Sequence, residues 1–337
     1  WLAAAGLSQD WIDMLLRNNG WRLLMMLGAV PAVLTVFMRL CVPESERWKR
    51  EQKSGATSSW ATADLLGVLI GTAGPALIVY LWAWDGPAWL PHTLALRLAG
   101  TVAGLVLVTY GYAYPLARYF QRQSEAREGE HGWPATRNRM LIGACLSTVV
   151  ILGSWGTGNW LVNWADQLTQ GAGTAKEVTQ IWRSVGAIVG TLLAAFINAR
   201  LSRRGAFALY CVVSVAAVTQ VVYNDHYGSL FLVSIFLMSV ATTTFYGWLP
   251  LYLPELFRTR VRATGQGFSY NFGRMLAAIG LLQSGNLAAL FHEPVSIGPL
   301  PPLAGYPAVC LAFGMIYVVG FFIIWLAPET SDRPLPD

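Results

Sequence analysis

The chain has 337 residues, 55% of them hydrophobic and only 12% charged, with a mean hydropathy of +0.46. Soluble globular chains carry roughly a quarter charged residues, so this composition excludes a soluble enzyme, a nucleic-acid binder and a disordered tail, and indicates a membrane protein. The 23 Lys and Arg against 18 Asp and Glu give a formal charge of +5, whose meaning depends on where the cations lie.

The sequence begins at Trp1, without an initiator Met or a basic, Ala-cleavable leader. It is expected to be a fragment, with the apolar start Trp1 to Gly6 as the stump of a preceding helix. Apolar runs then follow at 22–43, 65–84, 98–117, 140–165, 184–199, 205–224, 227–254, 263–291 and 303–327. Each is about the roughly 20 residues that cross a roughly 30 Å hydrocarbon layer, and none has the alternation of a membrane barrel. The expected fold is therefore all-α, a polytopic bundle of about nine transmembrane helices. Pro31, Pro75 and Pro250 would kink their spans. Gly67 with Gly71, Gly100 with Gly104 and Gly186 with Gly190 have the spacing that permits close helix contact. Cys41, Cys145, Cys211 and Cys310 form no C-x-x-C pair and read as packing residues.

Orientation follows from the cations. One set of connections holds Arg47, Lys49, Arg50 and Lys53, then Arg118, Arg122, Arg127, Arg137 and Arg139, then Arg200, Arg203 and Arg204, then Arg258, Arg260 and Arg262, with Arg333 in the tail. The opposite set holds Arg17, Arg22, Arg97, Lys176 and Arg183, while Arg39 and Arg274 fall inside spans. The cation-rich side is expected to be cytoplasmic, together with the C-terminus, in an inner or plasma membrane.

The first and last spans end alike, Val42-Pro43-Glu44-Ser45-Glu46-Arg47 and Ala327-Pro328-Glu329-Thr330-Ser331-Asp332-Arg333. Two such copies suggest duplicated halves, a feature of secondary transporters. With these ends, Gly20-Trp21-Arg22, the run Pro254 to Gly265 and the basic stretch Asn198 to Phe207, the chain resembles the major facilitator superfamily, especially its sugar-porter and metabolite or organic-acid:proton symporter branches. Ser202 stands where that family usually has Asp. The resemblance covers roughly 20–50 and 138–333. It implies that residues 1–53 end an N-terminal half whose first four helices and most of the fifth are absent. Residues 54–137 would be two extra helices and a cytoplasmic linker, 138–330 a six-helix C-terminal half, and 331–337 a tail.

Arg274 is the costliest residue in the sequence. It lies twelve positions after Arg262, about 18 Å along a helix, which puts it near the bilayer centre. A cation there costs at least about 2.5 to 3.5 kcal/mol on insertion scales and needs a polar cavity or a partner. The functional reading is a counter-ion for an anionic substrate, with Asn271 on the same face and Tyr270 beside it. The alternative is an Arg held by carbonyls or paired with an acid. A second stripe, Trp155, Asn159, Asn163 and Asp166, recurs on one helical face next to Gly153, Gly156 and Gly158, which would let that helix bend as a gate. Interhelical hydrogen bonding and an interfacial Trp explain the stripe nearly as well. The segment lacks the Gln-Gln pair of sugar porters, which disfavours a sugar. Asp166, Asp64 and Glu255 are the candidate coupling acids. The resemblance also implies that Glu255, beside Arg258 and Arg260, forms a cytoplasmic charge cluster that holds the inward gate, and it makes Arg203, in the basic stretch, a further gating candidate. His92, His131, His226 and His292 read as solvated or interfacial.

The expected function is a secondary transporter of a small organic anion or acidic sugar, coupled to protons, acting by alternating access as a monomer together with the absent helices. A neutral sugar or drug-like solute is the second reading, and a polytopic membrane enzyme or a sensor the third. No H-E-x-x-H, G-x-S-x-G, P-loop or metal spacing supports catalysis, so neither cofactor nor metal is expected.

Overall fold

The computed structural model describes residues 6, 8–16, 20–43, 46–53, 62–83, 93–122, 132–171, 173–295 and 301–331. The readings for Arg17, His92, Arg127, His131 and Arg333, and for the side chains of Arg22, Arg47, Asp64 and Arg122, fall outside them. Contacts divide the chain into two units, Trp1–Ser54 and Gly55–Asp337.

The first unit holds α1 (Gln9–Leu16), α2 (Trp21–Cys41) and α3 (Glu46–Lys53). Amphipathic α1 buries Ile12 and exposes its acids. In α2 the described side chains from Met25 onward are exposed although almost all are apolar, with Pro31 inside the helix. A helix apolar on every face is suited to lipid. Arg39, in its last turn, complements the negative end of the helix dipole.

The second unit contains α4 (Thr62–Ala83), α5 (Thr93–Arg122), α6 (Trp133–Leu168), α7 (Ala175–Asn198), α8 (Arg203–Val222), α9 (Ser229–Glu255) and α10 (Arg262–Leu282). Then come α11 (Ser284–Leu290), α12 (Gly305–Gly314) and α13 (Ile316–Ile323), which runs into a 3₁₀ turn at Ile324–Leu326. Among the described residues, six runs are long and apolar enough to span a membrane: Leu94–Gly111, α6, α7, α8, α9 and Gly305–Leu326. Shorter apolar runs lie at Met25–Cys41 and Leu69–Trp82. The chain is an all-α membrane protein.

Two expected boundaries are corrected. The run at 184–199 belongs to a helix that starts at Ala175, and the run at 263–291 is two helices separated at Gln283. The first correction moves Arg183 from a connection into the body of α7.

Small residues set the helix pairs. Gly71 meets Gly111 and Gly74 meets Gly104 between α4 and α5, where a Cβ on Gly111 would lie 2.4 Å from the Gly71 Cα. The buried stripe of α7 is Ala175, Thr179, Gly186, Gly190, Ala194 and Asn198, and the glycines face backbone carbonyls of Phe236 and Val240 on α9. Close backbone approach of this kind is how membrane helices gain packing energy without a hydrophobic driving force between them. Two buried clusters fill the remaining interfaces. One centres on Phe207, Phe245, Trp248, Tyr252, Phe268 and Tyr317, and the other on Leu161, Trp164, Val218, Phe231 and Leu311.

Candidate functional site

Next to its glycine stripe, α7 presents Gln180, Arg183, Ser184 and Thr191 along one face, and α9 answers with Ser239, Thr242, Thr243 and Tyr246. With Ser154 and Trp155 of α6, and Ala187 and Met238 beside them, these residues line a cavity of about 270 Å³ that has no acid among the described residues of its wall. The Tyr246 and Ser154 hydroxyls are 2.7 Å apart. Arg183 is fixed at three points. Its carbonyl accepts from Ser239 Oγ at 2.6 Å, its Nη1 donates to Gln180 Oε1 at 3.2 Å, and its guanidinium lies against α6 at Gly158.

Arg183 is not legible as a span residue in the charge pattern of the sequence, because the charge-free run begins only at Ser184. The signal was present: a 16-residue run is about 24 Å long, short of the roughly 30 Å layer, so the helix had to begin earlier. The hydroxyls of α9 went unnoticed because the Ser and Thr residues sit inside a run that is apolar on average.

The residues expected on the α6 stripe do share a face. Trp155 borders the cavity, while Asn159 and Asn163 are exposed beyond it, with Asn163 Nδ2 donating to the Asn159 carbonyl at 3.3 Å. Asp166 closes the stripe, 2.9 Å from Lys176 in an ion pair at the α6–α7 connection. On α10, Arg274 is exposed with its guanidinium 5.8 Å from the centre of the Tyr270 ring, and Asn271 Nδ2 donates to Gly267 O at 2.9 Å. Arg274 is outside the wall of the 270 Å³ cavity, which Arg183 occupies instead.

At the opposite end of α7 and α9 the charges form a network. Arg203 meets Glu255 through two hydrogen bonds, Nε to Oε2 at 3.0 Å and Nη2 to Oε1 at 2.9 Å, with both side chains 13% exposed. Thr330 Oγ1 also donates to Glu255, at 2.6 Å. The first amides of α8, those of Arg203 and Arg204, donate to the Glu329 carboxylate at 2.8 and 3.0 Å, as free N–H groups at a helix start favour an anion. Ser202 is the N-cap of α8, accepting from the Gly205 N–H at 3.1 Å, and Glu329 adds a carboxylate at the same helix start. Arg262 and Arg139 donate to the open carbonyls at the end of α9, Pro254 and Phe257 for the first and Leu256 for the second. Arg258 and Arg260 sit half-buried in the turn after α9. The bidentate partner of Glu255 is thus Arg203, 52 residues away in sequence.

The profile described as "Sugar (and other) transporter" matches residues 111–337, two thirds of the chain. The chain belongs to this transporter family. Among curated proteins, the transporter-family chain is 26% identical over 251 residues to a probable 4-methylmuconolactone transporter of Cupriavidus pinatubonensis, an alignment covering 72% of this chain and 56% of that protein. It is 29% identical over 156 residues to a cis,cis-muconate transport protein of Acinetobacter baylyi, covering 45% and 37% respectively. The chain therefore spans about half, or less, of the length of these relatives. Transporter-family membership accounts for the helical membrane fold and speaks against an enzyme.

Proposed function

We propose that the chain carries one face of the substrate site of a secondary transporter for a small organic carboxylate, coupled to protons and acting by alternating access. One observation carries the reading: Arg183 stands in a cavity lined by hydroxyls, an amide and an indole together with Ala187 and Met238, with no acid among the described residues of the wall to neutralise it. A membrane-embedded cation without a lining acid is matched by an anionic ligand, and a guanidinium pairs best with the planar carboxylate. The printed names of both relatives, a muconolactone transporter and a muconate transport protein, support an organic-acid substrate. Arg274, over Tyr270, adds a second positive group on α10, and Asn271 accompanies it. The Arg203–Glu255 pair is assigned to the gate, at the cytoplasmic end.

Uptake of labelled cis,cis-muconate by cells making the full-length protein tests this. A charge-assisted hydrogen bond contributes about 1.5 to 3 kcal/mol, so Arg183→Ala should lower uptake at limiting substrate by roughly 10- to 150-fold while membrane insertion is retained. Arg183→Lys should restore part of it, since the charge remains and the fork is lost. Normal uptake by Arg183→Ala would remove this reading. Symport additionally requires that substrate addition alkalinise a weakly buffered external medium, and a pH unmoved by active uptake excludes proton coupling.

A further inference from the structure

Gly143 of α6 meets Ser269 and Leu253, and three further glycines of that helix each receive a side chain from another helix, and these three guests differ. A Cβ on Gly153 would lie 2.4 Å from Tyr317 Cζ, and one on Gly156 would lie 2.5 Å from Phe313 Cγ, both rings belonging to the packed interior. At Gly158 the guest is charged: a Cβ there would stand 2.6 Å from each of Cζ, Nε and Nη2 of Arg183. The guanidinium plane thus rests on the bare backbone of α6, while Nη1 is held from the α7 side by Gln180. Both constraints act on the head group, since Ser239 already fixes the backbone of Arg183.

We propose that Gly158 is a positioning residue for substrate recognition: its missing side chain is the seat that holds the Arg183 guanidinium at the cavity wall, aimed at the carboxylate. This rests on the reading of Arg183 given above. The seat also ties two helices together at the site, because α6 supplies the floor and α7 the cation. Any methyl at 158 must displace the guanidinium by about 1 Å, a shift sufficient to cost up to about a hundredfold in a tuned polar site. The displaced atoms are the free end of a long side chain, and Ala is a better helix former than Gly, so the helix itself tolerates the change.

The experiment is a double-mutant cycle in the full-length protein, read as the half-saturating concentration and maximal rate of uptake of the same labelled carboxylate. Gly158→Ala is expected to raise the half-saturating concentration by about tenfold or more with little change in maximal rate. In the Arg183→Lys background, whose slender ammonium clears the methyl, the same substitution should change it less than about twofold. Gly156→Ala, which meets the Phe313 ring, serves as the packing control and should reduce folded protein and maximal rate, leaving half-saturation alone. Equal effects of Gly158→Ala in both backgrounds would make Gly158 a packing residue and overturn the proposal, as would an unchanged half-saturation beside Arg183. If Arg183→Ala transports normally, the reading of the site fails and the seat fails with it. If Arg183→Ala is impaired and Gly158→Ala is not selective, the seat alone fails.

Discussion

Glu329 is drawn in two directions. Burial favours its neutral form, but the N–H groups of Arg204, Arg203 and Ser331 and the Ser331 hydroxyl donate to its carboxylate and win, holding the carboxyl at about 2. A group whose folded pKa is depressed adds stability above its unfolded value of about 4.5 and loses that contribution as the pH falls toward 2. Glu329→Gln should therefore unfold at a lower temperature than the parent at pH 7 in detergent, with the gap closing between about pH 4.5 and the acid limit of the assay. A gap that stays constant with pH would mean that shape, and not charge, makes Glu329 matter. The neighbouring charges bear on this window, since Glu255 shares Thr330 with the motif and is itself bound to Arg203. Residue types and spacing were enough to mark Glu255 with Arg258 and Arg260, the basic stretch with Arg203, and the Pro-Glu-Thr end as three separate motifs, because short motifs carry their chemistry locally; that Arg203 and Thr330 meet on Glu255 is visible only in the packed helices. They did not show that Glu329 caps α8, a contact across 126 residues that exists only once the helices are packed. Arg183 escaped for a different reason: a single cation moved the apparent edge of an apolar run, and its cavity needs three helices to exist.

Among the elements, the α7–α9 pair is set by what is missing from its seam. A Cβ on Gly190 would lie 2.3 Å from the Val240 carbonyl oxygen and 2.4 Å from Thr243 Oγ1, and one on Gly186 would lie 2.6 Å from the Phe236 carbonyl oxygen. Backbone atoms cannot rotate aside, so a side chain there forces the axes apart. Thr243 Oγ1 also donates to the Ala187 carbonyl at 3.2 Å, a bond that is lost with the separation. Gly190→Leu should destabilise the folded protein by about 1 to 3 kcal/mol or more, seen as a lower midpoint of thermal unfolding in detergent, whereas Ile188→Leu on the exposed face of the same helix should leave it unchanged. A midpoint unmoved by Gly190→Leu would contradict the close crossing. The G-x-x-x-G spacing at Gly186 and Gly190 made this crossing legible beforehand, because a small-residue stripe has one period and one use. All nine apolar runs fall on helices for an equally simple reason, the obligation to satisfy backbone hydrogen bonds in lipid. Helix ends were less readable. Gln283 separates α10 from α11 at the polar stretch Gln283-Ser284-Gly285-Asn286, which the apolar average of 263–291 hides, and the first turns of α7 carry the exposed polar residues Lys176, Glu177 and Gln180, which composition places outside a span.

For the molecule as a whole, the cations sort by end. In the second unit the connections α7–α8 and α9–α10, with the start of α6, carry Arg137, Arg139, Arg200, Arg203, Arg204, Arg258, Arg260 and Arg262, whereas at the other end the α6–α7 connection carries Lys176 paired with Asp166, the α8–α9 connection Asp225 and His226, and the stretch after α11 His292 and Glu293. Lys and Arg near span ends stay on the cytoplasmic side during insertion, and acids count for little, so the arginine-rich end should face the cytoplasm. Single cysteines test this directly. Cys41 and Cys145 are exposed and would be replaced by Ser, while Cys211 and Cys310 are buried and out of reach of a polar reagent. In that background a membrane-impermeant maleimide added to intact cells should label Asp225→Cys and leave Arg200→Cys untouched until the membrane is opened. The two positions flank α8, one at each end, so the contrast reads the direction of a single helix and needs no assumption about the others. Neither substitution disturbs the network at Arg203, Glu255 and Glu329, and the remaining arginines keep the charge asymmetry. Labelling of Arg200→Cys from outside would invert the whole assignment, place the Arg203–Glu255 pair at the external mouth, and turn the proposed inward gate into an outward one.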